Sequence, residues 1–251
     1  MVAWGMDYAT PRHPALADCD FYHRMVLPGL GEVGTEWDLR PGIDDYLGRT
    51  AFSGARVLEI GPASGFLTAH MESGGAEVVS VELPLEHGWD VVPRAGIAAG
   101  WLAERRRIMD RIYNGFWLVH RRLGLRSRLA YARVPDLPES IGPFDVAVIA
   151  SVLGPCRDPM GVLARCGALT TRRMVVTEAE WVRIDTPYAV MVLNPHVGND
   201  VNDAWWFIPA YTVVTMLRLM GFDRVEVIRH AQTYLRQGCQ VPHYTVVGER
   251  D

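Results

Sequence analysis

The run Val57-Leu58-Glu59-Ile60-Gly61-Pro62-Ala63-Ser64-Gly65-Phe66 joins an apolar strand, a tight turn with glycine at two points, and a helix start. Glycine lets the backbone turn sharply and approach a ligand more closely than a Cβ allows. The next apolar strand, Val78–Val81, ends in Glu82, a little over twenty residues beyond Gly61. In a doubly wound sheet that spacing puts a carboxylate where it accepts both hydroxyls of a ribose. Two familiar ribose sites do not fit. A dinucleotide fingerprint needs G-x-G-x-x-G, whereas this turn reads G-P-A-S-G. A phosphate-cradling P-loop needs a lysine, and the chain has none.

A sheet must position these groups. Apolar, β-branched runs alternate with helical patterns through the middle of the chain, the signature of a parallel sheet covered by helices. The expected strands are Ala55–Ile60, Glu77–Glu82, Arg128–Arg133, Phe144–Ala150, Arg173–Thr177, Arg224–His230 and Tyr244–Gly248. The expected helices are Gly65–Ser73, Arg94–Leu123, Pro159–Ala168 and Pro209–Met220. Residues 1–50 hold Pro11, Pro14, Pro28 and Pro41 and a turn-rich run, and are expected to form a cap or lid. Residues 51–251 then form the ligand-binding domain, with a substrate loop at about 185–206. Both irregular stretches suit a binding surface, because ligands of open parallel sheets sit beyond the strand carboxyl ends.

Composition bounds the partners. The 251 residues are 49% hydrophobic and 22% charged, enough for a full core in one domain or one domain plus a cap. A net charge of -4 offers no whole-surface attraction to nucleic acid or anionic lipid. All 25 basic residues are arginine, which fits GC-rich bacterial coding better than any chemistry. Cys19, Cys156, Cys166 and Cys239 form no CxxC pair, so neither a disulfide scaffold nor a cysteine metal site is expected. No apolar run approaches the roughly 20 residues of a membrane span, and the first twenty residues lack a signal-peptide pattern. A cytoplasmic, reduced protein is expected.

The turn resembles the E-x-G-x-x-x-G turn of S-adenosylmethionine-dependent methyltransferases. Their ligand has a ribose for Glu82, no pyrophosphate, and an amino-acid tail whose ammonium suits Glu59. From Phe21 to about Gly248 the chain is similar to class I methyltransferases grouped with the tRNA wobble-uridine carboxymethyltransferases. The matching pieces are FYHRMVLPGLGEVGTEWDLRP, VLEIGPASGF, VVSVEL, PDLPESIGPFDVAVIASVLGPCRDP and WWFIPAYTVVTMLRLMGFDRVEVI. The resemblance implies a Rossmann-like seven-stranded doubly wound α/β sheet with its last strand antiparallel. It also implies S-adenosylmethionine as cofactor and S-adenosylhomocysteine as product, held at Glu59, Gly61, Pro62, Ser64, Gly65, Glu82, Leu83, Val134, Pro135 and Ala150. Two departures matter. The tyrosine that helps hold a carboxylated cofactor in that group falls at Gly154, and its arginine falls at Tyr244. A buried carboxylate without partners is costly, so ordinary S-adenosylmethionine is expected.

Methyl transfer chiefly requires alignment of nucleophile, methyl and sulfur. A hydroxyl nucleophile gains from a general base, and histidine titrates in the right range. His23 and His196 are the catalytic candidates, weighed against plain surface or hydrogen-bonded roles. Tyr22, Trp37, Trp205 and Trp206 are the substrate candidates, weighed against packing. Asp38 and Arg40 could pair and hold the cap. Arg105–Arg133 is densely basic, yet Ile108, Ile112 and Phe116 recur at helical spacing, so a wet helix face is the favoured reading. The expected function is methylation of a small, aromatic or glycosylated acceptor in a biosynthetic pathway. The alternatives are a tRNA-modifying enzyme and an adenosyl-binding protein without turnover.

Overall fold

The computed structural model describes residues 7–87, 89–94, 97 and 100–250. The N-terminal part holds β1 (Met25–Leu27), β2 (Gly31–Val33), β3 (Trp37–Asp38) and the single-turn α1 (Ile43–Tyr46). The central part alternates β4 (Arg56–Ile60), α2 (Phe66–Ser73), β5 (Glu77–Glu82), α3 (Trp101–Leu123), β6 (Arg128–Tyr131), β7 (Phe144–Ala150), α4 (Pro159–Leu169) and β8 (Thr170–Ala179). The last part holds β9 (Val192–Leu193), β10 (Trp206–Phe207), α5 (Ala210–Leu219), β11 (Arg224–Tyr234) and β12 (Cys239–Glu249).

Among the described residues one eight-stranded sheet runs β3-β11-β12-β8-β7-β4-β5-β6. Strands β4 to β8 are mutually parallel, and β12 joins β8 antiparallel. β4 carries Val57, Leu58 and Ile60 because both its faces are covered. Leu58 and Ile60 join the layer of α4 and α5, while Val57 joins the layer of α2 and α3. Val57 and Leu58 are fully buried, each stabilising the fold by roughly 2 kcal/mol.

The seven expected strands are present, the last of them antiparallel. The eighth is a correction. β11 and β12 each reach 11 residues, well past the expected His230 and back past the expected Tyr244. The lengthened hairpin leaves an open edge on β11, and an exposed edge is a pairing liability. β3 pairs with its far end alone, through Tyr234↔Trp37 and Thr233↔Asp38. This part of the N-terminal segment is therefore built into the sheet. α3 begins at Trp101 instead of the expected Arg94. Residues 95, 96, 98 and 99 of that expected helix lie outside the described residues. No helix among the described residues is long and apolar enough to cross a membrane.

Candidate functional site

The chain passes from β4 outward to β5 and β6, then crosses back to β7, so strand order reverses between β4 and β7. Open α/β sheets bind ligands at that switch point. Ile60 is level with Val81 of β5 and Ile149 of β7, so Gly61, Glu82 and Ala150 leave the sheet in one row. Gly61 sits at φ +72°, and its N–H donates to the Val81 carbonyl at 2.9 Å. A Cβ there would stand 2.8 Å from Val152 Cγ2, because the segment after β7 closes onto the turn. The Gly65 N–H donates to the Pro62 carbonyl at 2.8 Å, and the buried Ser64 hydroxyl oxygen accepts the Tyr22 N–H at 3.0 Å. Five of the expected cofactor positions, Gly61 to Gly65 with Glu82, thus meet at one edge.

Three carboxyls gather at these strand ends. Glu59 accepts from Thr68 Oγ1 and Ser80 Oγ, both at 2.6 Å, on one oxygen. Its other oxygen is buried without a partner. Burial pushes this carboxyl up to about 7, against those two hydrogen bonds. Glu82 accepts the Leu83 N–H at 2.9 Å. Burial again pushes it up to about 7, opposed by the backbone N–H groups of Leu83 and of Ala63 in the glycine turn. Glu178, at the end of β8, accepts the Leu153 N–H at 2.7 Å. Burial pushes it to about 7 as well, opposed by the N–H groups of Leu153, Val152 and Gly154. Desolvation disfavours a charged carboxylate, and a cation brought alongside restores it.

Leu83 lends its carbonyl to the Tyr113 hydroxyl at 2.7 Å. The Ala132 N–H donates to the Glu82 carbonyl at 2.9 Å, which brings the turn holding buried Val134 and exposed Pro135 to the same edge. The N–H groups of Trp205 and Trp206 donate to the Gly154 carbonyl at 2.8 and 3.1 Å, so the end of the 185–206 stretch folds against the segment after β7. Arg157 lies over the Trp205 ring, 5.1 Å from its centroid. Trp37 is buried in β3, its ring 4.8 Å from that of Tyr234 and 5.4 Å from that of His243. Arg40 pairs with Asp38 at 2.7 Å and Glu32 at 3.0 Å.

The two histidines are not brought together. His23 is buried between Tyr22 and Phe66, with ring centroids 5.0 and 5.7 Å away, and its Nδ1 has no partner. Burial lowers its imidazole to about 4, so it is neutral. His196 is exposed, and its Nδ1 accepts the Gly198 N–H at 3.0 Å within its own loop. Several arginines of α3 face acids: Arg111 meets Asp20 at 3.0 Å and Arg107 meets Glu104 at 2.6 Å.

Glu178, Tyr46 and Arg105 are not among the site residues expected from the sequence. Glu178 lies just past the expected strand Arg173–Thr177, and no motif marks it. Tyr46 is buried, its hydroxyl 3.2 Å from Ser151 Oγ, and its carbonyl accepts from Thr177 Oγ1 at 2.7 Å. Ser151, just past β7, adopts φ +55°. Arg105 was grouped with a solvated helix face, yet its field reaches both Tyr22 and Glu82. At the departures from the resembling group, Tyr244 is fully buried and donates its hydroxyl to the Ile208 carbonyl at 2.6 Å. A Cβ on Gly154 would lie 3.1 Å from the Trp206 carbonyl oxygen and 3.7 Å from Glu178.

No protein-family profile matches the chain, and no curated protein sequence does. Solved structures do resemble it. The [4+2]-cyclase SpnF aligns with a TM-score of 0.52 at 12% identity, over 82% of this chain and 78% of that one. The 1,6-didemethyltoxoflavin-N1-methyltransferase of Burkholderia thailandensis, with its substrate and S-adenosylhomocysteine bound, gives 0.50 at 17% identity, over 85% and 78%. The magnesium protoporphyrin IX methyltransferase of Synechocystis PCC 6803, with S-adenosylhomocysteine bound, gives 0.50 at 10%, over 85% and 82%. The chain therefore has the Rossmann-like fold of these proteins, and at such identities the likeness extends to the fold.

Proposed function

We propose that this protein is an S-adenosylmethionine-dependent methyltransferase acting on a small-molecule acceptor. The observation that carries the proposal is the meeting of Glu82 with the glycine turn. A carboxyl from the tip of β5 faces the Ala63 N–H beyond β4, and both sit at the topological switch point. The residues present fit the cofactor. Glu82 suits a ribose diol, and the buried, partnerless oxygen of Glu59 suits an ammonium group. Leu83 and Val134 offer apolar surface for an adenine ring. When bound, the cofactor supplies a methyl group on a sulfonium that needs no further activation. The protein's task is then to hold the acceptor in line and keep water away.

The acceptor belongs between the N-terminal segment, the segment after β7 and the 185–206 stretch. A cleft of about 440 Å³ opens at the start of that stretch, past the end of β8, between Glu180, residues 184–187, residues 209–211 and Arg229. Its mixed carboxylate, guanidinium and phenol lining suits a polar small molecule. Two of the fold's relatives are named for small-molecule methylation. A third is named for a cyclisation, and a fold by itself does not fix chemistry. The second reading, adenosyl binding without methyl transfer, is favoured by the histidines: His23 is buried and His196 is bonded within its own loop.

Incubation with methyl-labelled S-adenosylmethionine and a bacterial small-molecule extract tests the proposal, with bulk tRNA in a parallel reaction. Label in the small-molecule fraction is the expected result. Label in tRNA would move the protein to the RNA-modifying group, and label in neither, with cofactor bound, would favour the second reading.

A further inference from the structure

We infer that Arg105 is the partner of the amino-acid carboxylate of the adenosyl ligand, and that it holds Asp203 in its place when no carboxylate is bound. The inference rests on the adenosyl reading and adds the residue that reads the far end of the ligand.

α3 connects β5 to β6, so it runs from the site edge of the sheet to the opposite edge. Tyr113, whose hydroxyl reaches the Leu83 carbonyl, marks where the helix passes the end of β5. Arg105 lies eight residues earlier, roughly 12 Å further along the axis at 1.5 Å per residue and about 80° round the helix. That places it beyond the row of strand ends, on the site side of the sheet. Its field is felt at Glu82 and at Tyr22, whose N–H is bonded to Ser64 of that turn. A ligand with its ribose on Glu82 and its ammonium near Glu59 runs its tail across the same turn. The carboxylate of that tail then runs beside the acids Glu59 and Glu82 unless a cation intervenes.

Arg105 has that capacity to spare. Its Nη2 lies 3.3 Å from Asp203, a long contact for a charge-assisted pair, and its Nε is buried without a hydrogen-bond partner. A cleft of about 170 Å³ borders it, lined also by Trp101, Glu104, Ile108, Asp200, Asn202 and Asp203. A guanidinium has five donors in a planar fork that matches a carboxylate bidentately, so an incoming carboxylate can satisfy Nε and displace Asp203.

Two ligands that differ at the relevant group provide the test: S-adenosylhomocysteine, and 5′-methylthioadenosine, which lacks the amino-acid tail. Calorimetry on the whole chain is expected to show that Arg105→Met weakens S-adenosylhomocysteine by roughly ten- to hundredfold, the range of a lost charge-assisted pair. Methylthioadenosine affinity should stay within about twofold, and Asp203→Asn should leave both affinities within about twofold or tighten the first. Equal weakening of both ligands by Arg105→Met would overturn the inference, as would Asp203→Asn reproducing its effect, because Arg105 would then merely anchor the loop at Asp203. Failure of the wild-type protein to bind either ligand would instead overturn the adenosyl reading, and this inference with it.

Discussion

The Tyr22 N–H donates to Ser64 Oγ at 3.0 Å, so the N-terminal segment is fastened to the glycine turn itself. A second tie lies at the next strand end, where the Tyr46 hydroxyl stands 3.2 Å from Ser151 Oγ. The segment that the sequence suggests as a cap therefore touches both loops of the switch point.

The Tyr46 anchorage can be weighed. Thr177 Oγ1 bonds the Tyr46 carbonyl at 2.7 Å and lies 2.9 Å from Thr245 Oγ1, all in a buried position. Thr177→Val removes the donor and leaves that carbonyl short of one partner. A loss of about 1–2 kcal/mol is expected, read as a lower urea midpoint with an unchanged slope. An unaltered midpoint would mean that the N-terminal segment is held by its other contacts.

Glu59 predicts a pH effect of definite sign. A glutamate ordinarily titrates near 4.5, and this one is pushed to about 7 in the folded chain. Between those values the folded state holds a proton that the unfolded chain has released. Its contribution is thus fully present below 4.5 and is lost as pH rises through about 7. Glu59→Gln keeps an acceptor for Thr68 and Ser80 and cannot ionise. Relative to wild type, it should gain roughly 2–3 kcal/mol between pH 5 and pH 8.5 in urea titrations. The histidines His23, His230 and His243, each lowered by desolvation, act oppositely but equally in both proteins, so the difference isolates Glu59. A pH-independent difference would contradict the account.

Cofactor choice follows from the two departures. Tyr244 spends its hydroxyl on the Ile208 carbonyl, Gly154 offers no side chain, and Glu178 stands beside it. A second carboxylate on the cofactor would meet an acid without a compensating cation. Competition calorimetry should therefore favour S-adenosylmethionine over carboxy-S-adenosylmethionine by at least about tenfold, the equivalent of roughly 1.4 kcal/mol. The reverse preference would restore the tRNA reading.

Much of the site's frame is legible in the chain. β5 and β7 match their expected bounds because each is a short, apolar run bounded by turn residues. The glycine turn and Glu82 are local signals whose spacing mirrors the βαβ unit. The remainder depends on contacts that sequence spacing does not encode. Glu178 becomes part of the site only because β8 lies beside β7, where the Leu153 N–H finds it. β3 is two residues long and exists because the β11–β12 hairpin overshoots, carrying polar residues such as Gln232 and His243 that blur the apolar pattern. Trp37 has the composition of a substrate platform, yet strand pairing turns it into the packing of Tyr234 and His243. Arg105 shares its helix with many solvated arginines, and only the helix's course above β5 separates it from them.

The account's central claim is that Glu82 and the glycine turn hold an adenosyl ligand. Calorimetry of S-adenosylhomocysteine against wild type and Glu82→Ala, with NAD as the contrasting ligand, tests it most directly. The account predicts that wild type binds S-adenosylhomocysteine and not NAD. It also predicts that Glu82→Ala weakens binding by roughly ten- to hundredfold through the lost ribose hydrogen bonds, while the urea midpoint is kept or raised. Equal affinity in wild type and Glu82→Ala, or no binding of S-adenosylhomocysteine at all, would contradict it.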